Sequence, residues 1–163
     1  MSDRHAELPE DPDLPTEPGV GERSRRVPLH LTPGALGLVA VGGMAGTAAR
    51  YVMTLLVPAR EGWPLATLSV NLVGAFVLGL VIEALARGGP DAGVRRRIRL
   101  LVGTGFCGAF TTYSALAVEV DLLVRTGQPA TAIGYALTTV VVGFLVCTAG
   151  IWAAARRSPR AAA

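Results

Sequence analysis

The stretch GFCGAFTTYSAL, residues 105–116, lies within an apolar run that extends from Leu100 to Val124. That run is long enough to cross a bilayer, which takes about 20 mostly apolar residues. Its middle is rich in glycine and threonine, and a helix interior loses about 1 kcal/mol for each glycine relative to alanine. An unwound turn at membrane depth is tolerated where it is buried in protein or lines a cavity. The stretch predicts a helix broken at its midpoint, with an unbroken small-residue packing helix as the alternative.

Three further blocks have the length and hydrophobicity of membrane spans: Leu36–Val57, Leu65–Ala86 and Ala130–Ala154. Hydrophobic residues make up 51% of the chain. Because backbone groups in lipid must be satisfied within the chain, and because the alternation of barrel strands is absent, the blocks favour helices. The sequence therefore predicts an all-α integral membrane protein with four transmembrane helices.

The two ends of the chain differ from these blocks. Residues 1–33 are acidic and proline-rich, which predicts a disordered tail, and they lack the basic start and apolar middle of a cleaved signal peptide. Residues 34–155 are predicted to form the four-helix subunit, and residues 156–163 a basic C-terminal tail. The short connections between the spans leave no room for a soluble domain.

Several kinds of chemistry find no support in the sequence. Cys107 and Cys147 fall inside spans without a CxxC or Cys/His cluster, so they are interpreted as packing residues. No Ser/His/Asp set, phosphate-binding loop or pair of carboxylates is visible, and we expect the protein not to be an enzyme. The net charge of +3 is attributed to arginines beside the spans, not to nucleic-acid binding.

Polar residues within spans are functional candidates because they are expensive to place in lipid. Arg50 in the first block either reaches the interface or lines an aqueous vestibule that attracts anions. Around it, GGMAGTAARY (residues 42–51) offers small residues that let a second helix approach closely. The carboxylate of Glu119, on the third span, is expected to face protein or water.

The second span places Asn71, Ala75 and Gly79 on one stripe. The asparagine either clamps two helices together or presents two N–H donors to a transported species. In the fourth span Tyr135 and Thr139 are four residues apart, so their hydroxyls share a face. Such hydroxyls can solvate an anion, although threonine in membrane helices commonly bonds a local carbonyl instead.

Three motifs in this order resemble the Fluc (CrcB) family of fluoride channels: GGMAGTAARY, PLATLSVNLVGAFVLG (residues 64–79) and GTGFCGAFTTYSALAVE (residues 103–119). The similarity covers residues 34–154. It implies an antiparallel, dual-pore dimer that exports cytoplasmic fluoride passively and lowers its toxicity. It also implies that the third helix is broken and that carbonyls at the two breaks hold a structural sodium ion at the dimer centre.

The resemblance implies a role for individual residues. Gly108 and Thr111 would supply the sodium-binding carbonyls, Arg50 would stand at the vestibule, and Glu119 matches the acidic residue that follows the break. The residues expected to line the pore are Asn71, Tyr113, Ser114, Leu116, Tyr135 and Thr139.

One motif departs from the family. The family pattern reads TTFSTF, whereas residues 111–116 read TTYSAL. Tyr113 keeps the positive ring edge of a phenylalanine, but Leu116 has no ring. A non-conducting or half-functional subunit of a heterodimeric channel is therefore an alternative. A small proton-coupled exporter is disfavoured, because the first span contains Arg50 and no carboxylate.

The arginines beside the spans are distributed unevenly. The side of both termini and the middle loop carries Arg23, Arg25, Arg26, Arg87, Arg95, Arg96, Arg97, Arg99, Arg156, Arg157 and Arg160, and the other side carries Arg60 and Arg125. The positive-inside rule predicts cytoplasmic termini in the inner (plasma) membrane. Since one orientation is favoured, we expect the second subunit to be an oppositely oriented homologue, and otherwise a second copy of this chain.

Overall fold

The computed structural model describes residues 32–58 and 62–157. Most of the predicted tail at 1–33, Arg60 and the end of the chain from residue 158 lie outside the described residues.

The helices of the described residues form four spans. Three spans are α1 (Pro33–Leu56), α2 (Leu65–Arg87) and α5 (Pro129–Arg157). The third span contains α3, which is α-helical over Gly93–Ile98, π-helical over Arg99–Cys107 and α-helical again over Gly108–Phe110, followed by α4 (Tyr113–Arg125). All four are long and apolar enough to cross a membrane. The predicted all-helical fold with four spans is confirmed.

The third span is bent at Thr111 and Thr112. Thr111 has φ −74° and ψ 159°, and Thr112 has φ −150° and ψ 120°, both in the extended region. Helix α4 starts anew after this pair, since the Thr112 hydroxyl accepts a hydrogen bond from the Ala115 amide at 3.2 Å and acts as its N-cap. The bend therefore lies within the glycine- and threonine-rich stretch.

The π-helical segment Arg99–Cys107 was not predicted. Such segments are rare and recur at functional sites. The segment contains Gly105, where an added Cβ would lie 2.7 Å from the Val39 carbonyl oxygen of α1. The widened turn and the missing side chain together let the backbone of α3 lie against α1.

Helices α1 and α3 form the first of two closely packed pairs. A Cβ on Gly42 would lie 2.0 Å from the Leu101 carbonyl oxygen, and one on Gly46 would lie 2.3 Å from that of Phe106. Real Cβ atoms do not approach so closely, so only glycine fits. The small residues of GGMAGTAARY thus form a packing surface, as predicted, and their partner is α3 of the same subunit.

Helices α2 and α5 form the second pair. A Cβ on Gly79 would lie 2.3 Å from the Cys147 carbonyl oxygen, and one on Gly150 would lie 2.3 Å from that of Phe76. Helix α4 then packs on α5 through a small core of Leu116, Leu123, Ala132 and Tyr135. The bend lies where α2 meets the two halves of the third span.

Candidate ion site at the bend of the third span

Asn71 of α2 holds the bend. Its Nδ2 donates to the Thr112 carbonyl oxygen at 3.1 Å, and its Oδ1 accepts from the Thr112 amide at 2.8 Å. Gly74, on the next turn of α2, permits this approach, because a Cβ there would lie 2.2 Å from Cγ2 of Thr111. One side chain therefore satisfies both backbone groups of an extended residue inside a span.

The bend withholds helical hydrogen bonds from several carbonyls around it, among them those of Gly108 and Thr111. In a continuous helix the Thr112 amide would bond the Gly108 carbonyl, and the Ala115 amide would bond that of Thr111. Here the Thr112 amide donates to Asn71 and the Ala115 amide donates to the Thr112 hydroxyl. The carbonyls of Gly108 and Thr111, both selected from the sequence, thus lose the amides that a helix would give them.

A cavity of about 370 Å³ opens beside the bend. We call it the bend cavity. It brings together most of the residues selected from the sequence, namely Asn71, Gly108, Thr111, Tyr113, Leu116 and Thr139. The structure therefore gathers residues from α2, both halves of the third span and α5 around one space.

A second cavity, of about 560 Å³, lies next to Arg50 and shares Thr112 with the first. We call it the Arg50 cavity. Ser114 lines it, and its hydroxyl lies 3.2 Å from that of Thr112. Within the described part of the chain Arg50 makes no ion pair, so its charge is available to attract an anion.

Glu119 lies in a half-buried hydrogen-bonded cluster, and one member of that cluster, Thr67, lines the Arg50 cavity. Its Oε1 accepts from the Thr67 hydroxyl at 2.7 Å, and its Oε2 accepts from the Tyr135 hydroxyl at 2.6 Å. Tyr135 is 0% exposed, and Trp63 packs edge-on against its ring with centroids 6.2 Å apart. The carboxylate faces protein. Thr67 was not selected from the sequence, although it lies one turn before Asn71 on the same stripe.

The hydrogen bonds show which donors an anion would find. The Thr139 hydroxyl donates to the Tyr135 carbonyl at 2.8 Å, and the Thr111 hydroxyl donates to the Cys107 carbonyl at 2.9 Å. In this conformation the hydroxyls of Thr139, Thr111 and Tyr135 thus direct their hydrogens into the subunit. That the hydroxyls of Tyr135 and Thr139 line the pore and solvate the anion stays a prediction.

Donor hydrogens remain on a different set of residues. Asn71 retains its second N–H, and the hydroxyl pair of Thr112 and Ser114 retains one O–H beyond the bond that the two share. Among the described residues, the Tyr113 hydroxyl has no hydrogen-bond partner, and that residue is 82% exposed. These donors and Arg50 lie on both sides of the bend.

The two positions that depart from the family motif have opposite environments. Tyr113 points outward, whereas Leu116 is 9% exposed and packs with Leu123, Ala132 and Tyr135. Both nevertheless line the bend cavity. A substitution at Leu116 therefore also changes the subunit core, while one at Tyr113 changes an exposed surface.

Comparison with known proteins places the chain in a family. The family model described as CrcB-like protein, Camphor Resistance (CrcB), matches residues 37–151. The chain is 50% identical over 119 residues to the fluoride-specific ion channel FluC 1 of Cutibacterium acnes, covering 72% of this chain and 83% of that protein. It is 43% identical over 129 residues to FluC 2 of Leifsonia xyli subsp. xyli, covering 79% and 89%. It is 41% identical over 119 residues to FluC 2 of Moorella thermoacetica, covering 72% and 93%. The matched region contains Asn71, the bend and both glycine-packed helix pairs, and the chain belongs to the CrcB family.

Proposed function

We propose that this chain is a subunit of a passive, fluoride-selective channel that releases cytoplasmic fluoride across the plasma membrane and so lowers its toxicity. Its relatives are named fluoride-specific ion channels, and its four spans can embed in a bilayer. The observation that carries the proposal is the Asn71 amide, which holds Thr112 extended beside the bend cavity.

The available donors suit fluoride. Fluoride is small, strongly hydrated and a strong hydrogen-bond acceptor, so a pathway must replace its water with donors. The second N–H of Asn71, the Tyr113 hydroxyl and the remaining O–H of the Thr112–Ser114 pair are such groups. The unpaired guanidinium of Arg50 would raise the local concentration of anions at the entrance.

We further propose that the Gly108 and Thr111 carbonyls bind a structural sodium ion. Both carbonyls lose their helical amides at the bend, and hard cations prefer oxygen ligands. The described residues contain no group of three His, Cys, Asp or Glu side chains suited to a metal, so the ligands would be carbonyl oxygens. A bound cation would offset the cost of holding an anion in a low-dielectric site.

A single subunit presents an incomplete site, which supports a dimer. Gly108, Tyr113 and Ser114 are exposed beside the bend although they lie within a span. Polar groups at that depth are unfavourable against lipid and favourable against protein or a water-filled pathway. An antiparallel second subunit would cover these residues, bring two bends to one centre and create two pores.

The distribution of arginines supports a homologue, inserted in the opposite orientation, as that second subunit. Eleven arginines flank the spans on one predicted side and two on the other, so the chain is expected to insert mainly with cytoplasmic termini. In the second candidate function this chain is a non-conducting or half-functional partner, since Leu116 supplies no ring edge at the bend. A pair of identical subunits would require insertion in both orientations.

Growth of a fluoride-sensitive bacterium tests the function in a living membrane. A strain without its own fluoride exporter would express this chain alone, a homologue alone, or both. We expect growth at raised fluoride concentrations from the chain with its partner, and no added tolerance to raised chloride. Absence of fluoride tolerance in every combination, with the proteins present in the membrane, would contradict the proposal.

A further inference from the structure

A basic pocket lies between the first turns of α1 and α3, remote from the bend. It has a volume of about 580 Å³, and its lining includes Gly34, Ala35, Leu38, Arg96, Arg97 and Leu100. We call it the headgroup pocket. Its position at the start of two spans places it at the boundary between lipid and water, and its lining combines arginines with leucines.

The charges around this pocket are not balanced. Asp91 accepts two hydrogen bonds through its carbonyl from Arg96, at 2.8 and 3.1 Å. Its carboxylate pairs with Arg99 and also lies 4.0 Å from Nε of Arg96. Within the described residues neither Arg95 nor Arg97 forms an ion pair. Arg97 therefore brings an uncompensated charge to the headgroup pocket, while Arg95 brings one to a neighbouring part of the same first turns of α3.

An apolar groove begins one turn deeper along the same two helices. Leu38 and Leu100 line the headgroup pocket, and Val41 and Leu101 line the groove, which has a volume of about 390 Å³. All residues that line the groove are apolar or glycine, among them Ala45 and Phe106. A hydrocarbon chain can pack in such a groove, whereas a free phosphate ion would find no charged or hydrogen-bonding side chain there.

We propose that the headgroup pocket binds the phosphate of an anionic phospholipid, with an acyl chain lying along the apolar groove. Guanidinium groups bind phosphate oxygens through paired, charge-assisted hydrogen bonds. Basic pockets between spans on the cytoplasmic side, which is the predicted side of the start of α3, suit acidic lipid headgroups. Charge from Arg96 and Arg97 and apolar surface next to it together fit one amphipathic ligand.

The test uses the full-length purified assembly and native mass spectrometry. The probes are phosphatidylglycerol, phosphatidylcholine with the same acyl chains, and glycerol 3-phosphate, which has the headgroup phosphate and no chains. Arg97→Gln removes the uncompensated charge from the pocket. Arg95→Gln removes the same charge from the same helical segment of α3 but outside the pocket lining, and is the matched control.

We expect phosphatidylglycerol to bind in preference to both other probes. Arg97→Gln should weaken that binding roughly tenfold, as expected for loss of one charge-assisted contact, while Arg95→Gln should change it by about twofold or less. Ala45→Phe, which fills the groove, should also weaken phosphatidylglycerol binding. The matched change at Ala48, an exposed residue of α1 outside the groove lining, should not.

Four results would overturn the proposal. Equal losses of phosphatidylglycerol binding in Arg97→Gln and Arg95→Gln would mean that the lipid is attracted by the overall charge and not bound at a specific pocket. Equal binding of phosphatidylcholine would remove the role of charge, and equal binding of glycerol 3-phosphate would point to a free phosphate ion. Lipid binding that emerges only after deletion of residues 1–31 would identify the acidic tail as the occupant.

Discussion

The side chain of Asn71 bonds both backbone groups of Thr112, with its Nδ2 3.1 Å from the carbonyl oxygen and its Oδ1 2.8 Å from the amide nitrogen. A residue of the second span thus fixes the backbone of the third at the point where its helix is interrupted. The two readings of Asn71 from the sequence, a clamp and a donor, are compatible in this geometry. Its Nδ2 and Oδ1 both bond the bend, and the second N–H on Nδ2 is left over as the donor that the proposed function requires.

Replacement of Asn71 by alanine should reduce fluoride flux by at least tenfold. The change removes the spare donor and leaves the Thr112 backbone groups without partners, each at a penalty of about 1–3 kcal/mol. Flux would be measured with a fluoride electrode and assembly by size-exclusion chromatography. Thr148→Ala is the control, because the Thr148 hydroxyl bonds only its own helix. Full flux in Asn71→Ala would contradict the role of Asn71 in the pathway. Failure of the variant to assemble would mean that Asn71 acts as a structural clamp and would not support its role as an ion ligand.

Gly74→Ala should destabilise the protein by about 1–3 kcal/mol, as overpacking generally does. The added Cβ would lie 2.2 Å from Thr111 Cγ2, so the bend would have to move away from α2. Gly143→Ala is the matched control, since the nearest atom to its Cβ would be 3.9 Å away. Thermal unfolding in detergent compares the two. An unchanged midpoint for Gly74→Ala would show that the bend does not depend on this close approach.

Tyr135→Phe tests whether the Tyr135 hydroxyl only stabilises the subunit by bonding Glu119 or contacts the transported ion. The change leaves Oε2 of Glu119 without its donor, and we expect a loss of stability of about 1–3 kcal/mol with fluoride selectivity over chloride retained. Thermal unfolding and anion flux would be measured on the same preparation. Loss of selectivity at unchanged stability would instead place the Tyr135 hydroxyl in the ion path.

Tyr113→Phe and Leu116→Phe should have different effects on thermal stability and on anion flux. Tyr113 is 82% exposed, so restoring phenylalanine there should alter flux and leave stability unchanged. Leu116 is packed in the subunit core, and the larger ring should destabilise it by about 1–3 kcal/mol. The motif comparison predicts that Leu116→Phe also raises conduction if the missing ring limits a pair of identical subunits. Unchanged flux in both variants would show that rings at these positions do not limit conduction.

The four spans could be predicted from sequence because lipid imposes both their length and their helical hydrogen bonding. The position of the bend followed from the glycines and threonines around Thr111. The π-helical segment Arg99–Cys107 could not be predicted, since it depends on how closely α3 approaches α1. The pairing of Thr67 with Glu119 depends likewise on contact between spans, which spacing along one helix does not determine.

Anion release from proteoliposomes measures directly whether the complete dimer conducts fluoride passively. Vesicles containing this chain, with and without an oppositely inserting homologue, would be loaded with fluoride or chloride while an ionophore clamps the membrane potential. We expect fluoride release without chloride release, at a rate independent of any pH gradient, in the vesicles that contain the complete dimer. Fluoride release that requires a pH gradient, or no release from any combination of subunits, would contradict this expectation.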